Sequence, residues 1–172
     1  MGSGLNRPGA RRSRHDEEVA VESWELDARE QIRSLVGAYN ALGDRGRIDE
    51  VMALFAADAV MDIDDGRLYE GVDEIRLIFT GTRDSIRSEP GPGYVQHHTS
   101  SLAITLDGPQ AATGHSYFTV MMNHGVDHWG RYQDKYACAG GIWLFASRRV
   151  RVDGCTSGGW AERRMKRGGG GP

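Results

Sequence analysis

Three residues far apart in the chain carry the side chains that could do chemistry together. Tyr39 and Asp44 stand at the end of an otherwise apolar helical pattern, and His97 opens a strand pattern much later. An imidazole beside a carboxylate is an acid–base pair, because the carboxylate fixes the ring tautomer and raises the basicity of the free nitrogen. A carboxylate under apolar cover has its ionised form disfavoured, which suits a general base or acid. A phenol close by supplies a hydrogen bond to an oxygen on which charge develops. A structural reading competes with this one. Asp44 is followed by Arg45-Gly46-Arg47, an ordinary turn in which the aspartate caps the next helix, and a lone strand histidine can be a packed core residue.

Spacing constrains the arrangement. Tyr39 and Asp44 are about 140° apart on a continuous helix and would not share a face. Gly43 and Gly46 are expected to end the helix and let Asp44 turn inward. His97 and His98 are neighbours on a strand, so only one of them enters a pocket. Phe118, Val120 and Met122 alternate to form one apolar wall. Tyr132, Asp134 and Tyr136 share one face of their strand, and Arg131, Gln133 and Lys135 take the other. His115, His124 and His128, taken with His97, fit no helical metal motif, and no catalytic metal is expected. The chain has no phosphate loop, nucleophile elbow or dinucleotide fingerprint.

The elements that position these groups follow from periodicity. A first helix starts near Ser23 or Glu25 and carries Ile32, Leu35, Val36, Tyr39 and Leu42 at helical spacing. A second, shorter helix runs from Ile48 through Phe55, with Asp58 closing it. Ala59–Ile63 reads as a strand, Asp64-Asp65-Gly66 as a turn, and residues 67–70 as a short returning strand. Gly71 opens a third helix with Val72, Ile75, Ile78 and Phe79. Residues 81–93 read as a long polar loop, either a lid or plain surface. Four strand patterns follow, over residues 95–106, 111–122, 128–139 and 142–152, separated by Asp- and Gly-containing turns. Helices followed by a meander indicate an α+β fold with helices on one face of a bent sheet.

The chain of 172 residues is expected to be one domain over residues 23–160. A disordered N-terminal tail is expected over residues 1–22 and a flexible C-terminal tail over 161–172. A net charge of −3 does not argue for a nucleic-acid or membrane partner, and none is expected. No apolar run is long enough to span a membrane. Cys138 and Cys155 are expected to be free thiols in a reducing cytoplasm.

Taken together, Tyr39 through Asp44, Ile48 to Asp58, the His97 strand, Gly114-His115-Ser116-Tyr117-Phe118 and Gly130-Arg131-Tyr132-Gln133-Asp134 resemble the SnoaL-like branch of the nuclear-transport-factor-2-like superfamily. The resemblance spans about residues 25–153. It implies a cone-shaped, strongly curved, mostly antiparallel sheet, with three helices enclosing an apolar pocket, in a homodimer. It also implies a cofactor-free cyclase, isomerase or dehydratase acting on a hydrophobic, oxygenated small molecule such as a polyketide, terpenoid or steroid. By the same resemblance His97, Asp44 and Tyr39 are catalytic. Val120, Met122, Phe118, Tyr132, Ile63 and Asn123 are the expected substrate-binding residues. The second acid or histidine of similar dehydratases falls near Val120 or Met122 here, so dehydration lacks its acid. Epoxide opening would need a second carboxylate, for which Asp62 and Asp134 are candidates. A non-catalytic ligand-binding or accessory protein is the reading from another class.

Overall fold

The computed structural model describes residues 21–63, 65–89 and 93–168. Most of the expected N-terminal tail therefore lies outside the described residues. The first helix, α1, spans Ser23–Asp44. Its start is a capping box in which Glu22 and Glu25 each accept the other's backbone N–H. Its apolar stripe, Ala28, Ile32, Leu35, Val36 and Tyr39, is buried. The helix ends at Asp44, one residue beyond Gly43, and Gly46 closes it. Gly46 has a φ of 67°, its N–H reaches the Gly43 carbonyl at 2.9 Å, and the Arg47 N–H reaches the Leu42 carbonyl at 3.0 Å. This paired closure with glycine in the left-handed region keeps Asp44 in the last helical turn.

Helix α2 covers only Ile48–Met52, and strand β1 already begins at Phe55 and runs to Asp62. Phe55 therefore belongs to the strand and not to the second helix, because its ring is needed in the core against Phe145, with centroids 5.2 Å apart. The short strand β2 is Leu68–Glu70. Helix α3 spans Gly71–Arg87, so most of the expected loop over 81–93 is helix. Ile78, Thr82 and Ile86 continue its apolar face at helical spacing beneath the polar residues. The remaining strands are β3 (Val95–Leu106), β4 (Ala111–Met122), β5 (Gly125–Ala139) and β6 (Ile142–Cys155). A fourth helix, α4, spans Trp160–Gly168 where a tail was expected from residue 161. Its high charge hides the one face, Trp160 and Ala161, that is buried.

The six strands form one open α+β sheet in the order β2-β1-β6-β5-β4-β3. All pairings are antiparallel except β1 with β6. Gly130 shows how tightly this sheet is built, since a Cβ there would stand 1.9 Å from the Arg151 carbonyl oxygen.

The core contains an ion pair as well as apolar side chains. Arg148 and Asp134 are both fully buried and make a two-pronged contact, with Nε and Nη2 each 2.8 Å from a carboxylate oxygen. The Tyr136 hydroxyl donates to the same carboxylate at 2.9 Å. The guanidinium carbon lies 4.0–4.2 Å from the ring centroids of Tyr39, Tyr132 and Phe145. A buried charge is tolerable only when paired and hydrogen-bonded in this way, and the aromatic faces add cation–π attraction.

Candidate active site

A cavity of about 840 Å³ lies between the sheet and the helices, with Tyr39, Asn40 and Asp44 of α1 among its lining. Asn40 and Asp44, one helical turn apart, both reach alternate residues of β3. The Asn40 amide donates to the Thr99 hydroxyl. The Asp44 carboxylate accepts the His97 backbone N–H at 2.8 Å on Oδ2, and its Oδ1 lies 2.5 Å from His97 Nδ1. A carboxylate in the last turn of a helix faces the unfavourable end of the helix dipole. Two hydrogen bonds from one residue offset that cost. They also fix the ring, leaving Nε2 as the nitrogen available to the cavity. His98, on the other face of β3, is exposed.

A second imidazole stands two strands away. His97 is directly opposite Val120 on β4, and Val120 is directly opposite His128 on β5. Directly paired residues share a face, so His97, Val120 and His128 form a row across the cavity wall. The two histidine backbones are on the order of 10 Å apart, two strand spacings. His128 Nδ1 is 2.7 Å from Oδ2 of the fully buried Asp127. Burial lowers the His128 pKa, the Asp127 carboxylate opposes that shift, and the nearby His97 adds to it.

Neighbouring strand residues ordinarily point to opposite faces, yet Asp127 and His128 meet. The cause is a register shift. Val120 pairs with His128 but Met121 pairs with Val126, so Asp127 is an extra residue on β5. Such a bulge lets the carboxylate turn back towards its neighbour. Asp127 also accepts the backbone N–H groups of Trp160 at 2.6 Å and Ala161 at 3.1 Å, and it lies 3.0 Å from His124 Nε2. It thus holds the first turn of α4 against the sheet.

The predicted residues divide clearly. Tyr39, Phe118, Val120, Met122, Tyr132 and Ile63 all line the cavity with His97 and Asp44. Phe118 and Tyr132 stack at 4.6 Å and form one wall. Asn123 does not line it. It is exposed in the two-residue turn between β4 and β5. Tyr39 makes its close contacts with the Arg148 guanidinium and surrounding rings. Burial raises its pKa, against the pull of Arg148, so it stays a phenol. Asp62 pairs with Arg149 and Arg151, and Asp134 with Arg148. Neither lines the cavity, so neither is placed to be the second carboxylate that epoxide opening would need. His128, set aside in the sequence as a poor metal ligand, shares the face of Tyr132 by simple alternation and lines the cavity.

An open, curved sheet with helices over a cavity-bearing face places the chain in the nuclear-transport-factor-2-like class of α+β proteins. More narrowly, the chain belongs to the SnoaL-like domain family, whose profile matches residues 24–149. Solved structures share the fold. A putative scytalone dehydratase from Novosphingobium aromaticivorans superposes with a TM-score of 0.68 at 20% identity, covering 77% of this chain and 89% of that one. The hexachlorocyclohexane dehydrochlorinase LinA-type3 from Novosphingobium barchaimii gives 0.65 at 15% identity, covering 77% and 91%. A cystatin-like protein of unknown function from Nostoc punctiforme gives 0.64 at 22%, covering 73% and 90%. No curated protein sequence matches the chain. Among the described residues, no helix is long and apolar enough to cross a membrane.

Proposed function

We propose that this protein is a cofactor-free acid–base enzyme of the isomerase, cyclase or dehydratase kind, acting on a hydrophobic, oxygenated small molecule such as a polyketide, terpenoid or steroid. One observation carries the reading: two imidazoles, each held at Nδ1 by a carboxylate, face one cavity. In this mechanism His97 Nε2 takes a proton from a carbon activated by a neighbouring carbonyl. Asp44 keeps the ring oriented and stabilises the imidazolium that forms. Burial holds His128 neutral, so its Nε2 accepts a hydrogen bond from a substrate hydroxyl and fixes it in place. When that hydroxyl leaves, the proton on His97 returns to it and water is released. The same proton returned to carbon gives isomerisation instead. Tyr39, as a phenol, is the donor on the cavity floor, and the Phe118–Tyr132 wall folds and orients the substrate.

His97, by returning its proton, supplies the acid for the leaving hydroxyl and His128 positions that hydroxyl, so elimination is the favoured member of the class. The protein is further proposed to act as a homodimer in the cytoplasm. Tyr117 and Trp129 stand exposed on the outer face of β4 and β5, where a second copy would pack, and the free cysteines suit a reducing compartment.

The test is a panel of one- and two-ring β-hydroxy ketones in deuterated buffer, without added metal or cofactor. The expected result is water loss, or deuterium uptake next to the carbonyl, that falls at least about 100-fold in His97→Gln. Ligands that bind in the cavity but never exchange or react would support a non-catalytic carrier and overturn the proposal.

A further inference from the structure

The cavity lining changes character at its opening. Arg45 caps α1, Arg83 and Arg87 stand one turn apart on α3, and Arg164 lies on α4, and all four line the cavity. Arg45, Arg87 and Arg164 are exposed, so they mark the rim and not the floor. Arg83 Nε meets Asp84 at 2.9 Å, and the Arg164 guanidinium lies 5.3 Å from the Trp160 ring centroid. Arg45 and Arg87 have no carboxylate partner among the described residues. The acidic lining residues are Asp44, committed to His97, and Asp65, which accepts the Tyr69 hydroxyl at 2.6 Å. Nearby Glu89 is taken by Arg163.

The chain as a whole carries a net charge of −3, yet the lining holds four arginines against two aspartates. Like charges gathered at one opening repel each other, and they concentrate a field that attracts anions. Guanidinium groups are also the side chains best shaped to hold carboxylate, sulfate or phosphate oxygens.

We propose that the rim is an anion subsite and that the ligand is an amphipathic anion. Its apolar ring system enters towards His97 and His128, while its carboxylate, sulfonate or phosphate group stays outside between Arg45 and Arg87. This names the substrate class of the site proposed above and rests on that cavity being the substrate site.

Two probes that differ in a single group test it. Anilinonaphthalene sulfonate and N-phenyl-1-naphthylamine share one aromatic body, and only the first carries a sulfonate. Each is titrated by fluorescence against the wild type and against the double variant Arg45→Ser/Arg87→Ser, whose altered side chains are exposed and leave the core intact. The His97 ring resonances report whether the cavity is occupied. The wild type should bind the sulfonate about tenfold more tightly than the neutral probe, as two exposed charge contacts allow. The double variant should lose that preference while keeping its affinity for the neutral probe, and added salt should erode it. Equal affinity for both probes, a preference that survives the double substitution, or binding that leaves the His97 resonances unmoved would each overturn the proposal. The outcome is independent of catalysis: an inactive protein can still show the preference, and an active one can lack it.

Discussion

Replacing Asp44 with asparagine should reverse the tautomer of His97, and the geometry says why. The carboxylate accepts two bonds from one residue: the His97 backbone N–H at 2.8 Å and Nδ1 at 2.5 Å. A backbone N–H can only donate. Asparagine has one oxygen, which must therefore face that N–H, and its amide group then faces Nδ1. Nδ1 becomes an acceptor, the ring proton moves to Nε2, and the lone pair facing the cavity is lost. The charge-assisted bond now favouring the Nδ1–H form contributes about 1.5–3 kcal/mol, roughly a 10- to 150-fold preference. The assay is long-range proton–nitrogen correlation on histidine-labelled protein above neutral pH, with His97 assigned by its loss in His97→Gln. The wild type should show Nδ1–H at His97, and Asp44→Asn should show Nε2–H with the remaining spectrum unchanged. Catalysis should fall by about 10²–10⁴-fold in parallel. A His97 that keeps its Nδ1 proton in the variant would refute the reasoning, because the backbone bond would not be what orients residue 44.

Two further outcomes follow from the buried groups. The folded pKa of His128 is lowered by burial, so the unfolded chain binds the proton more readily. Its contribution to stability is complete above the ordinary histidine pKa and is lost as pH falls through that value, levelling off only below the folded pKa. Urea midpoints at pH 7.5 and 5.5 should therefore separate more for wild type than for His128→Gln, and an equal separation would contradict the assignment. Arg148→Leu leaves the Asp134 carboxylate buried without its partner and should cost about 3–5 kcal/mol in chemical denaturation. A loss below about 1 kcal/mol would show that the pair is not held as described.

The first helix, the His97 strand and the apolar wall were legible because each rests on a simple period. Ile32, Leu35, Val36 and Tyr39 repeat at helical spacing, and Phe118, Val120 and Met122 alternate. The Asp44–His97 pair was legible only through resemblance, since no local rule joins residues 53 positions apart. Gly43 and Gly46 both read as stops, and the backbone bonds to Leu42 and Gly43 show that Gly46 closes the helix, whose last residue is Asp44. The Asp127–His128 contact was missed because a bulge leaves no mark on hydrophobic alternation, whereas His128 itself falls on the face of Tyr132 by simple alternation and was read only as a metal candidate. Helix α4 was missed because two buried residues among basic ones look like a tail.

The Asp127 carboxylate anchors the first turn of α4 and holds Nδ1 of His128. One side chain therefore ties a segment 33 residues further along the chain to the orientation of the second imidazole, so a substitution at Asp127 disturbs the seating of α4 and the setting of His128 together.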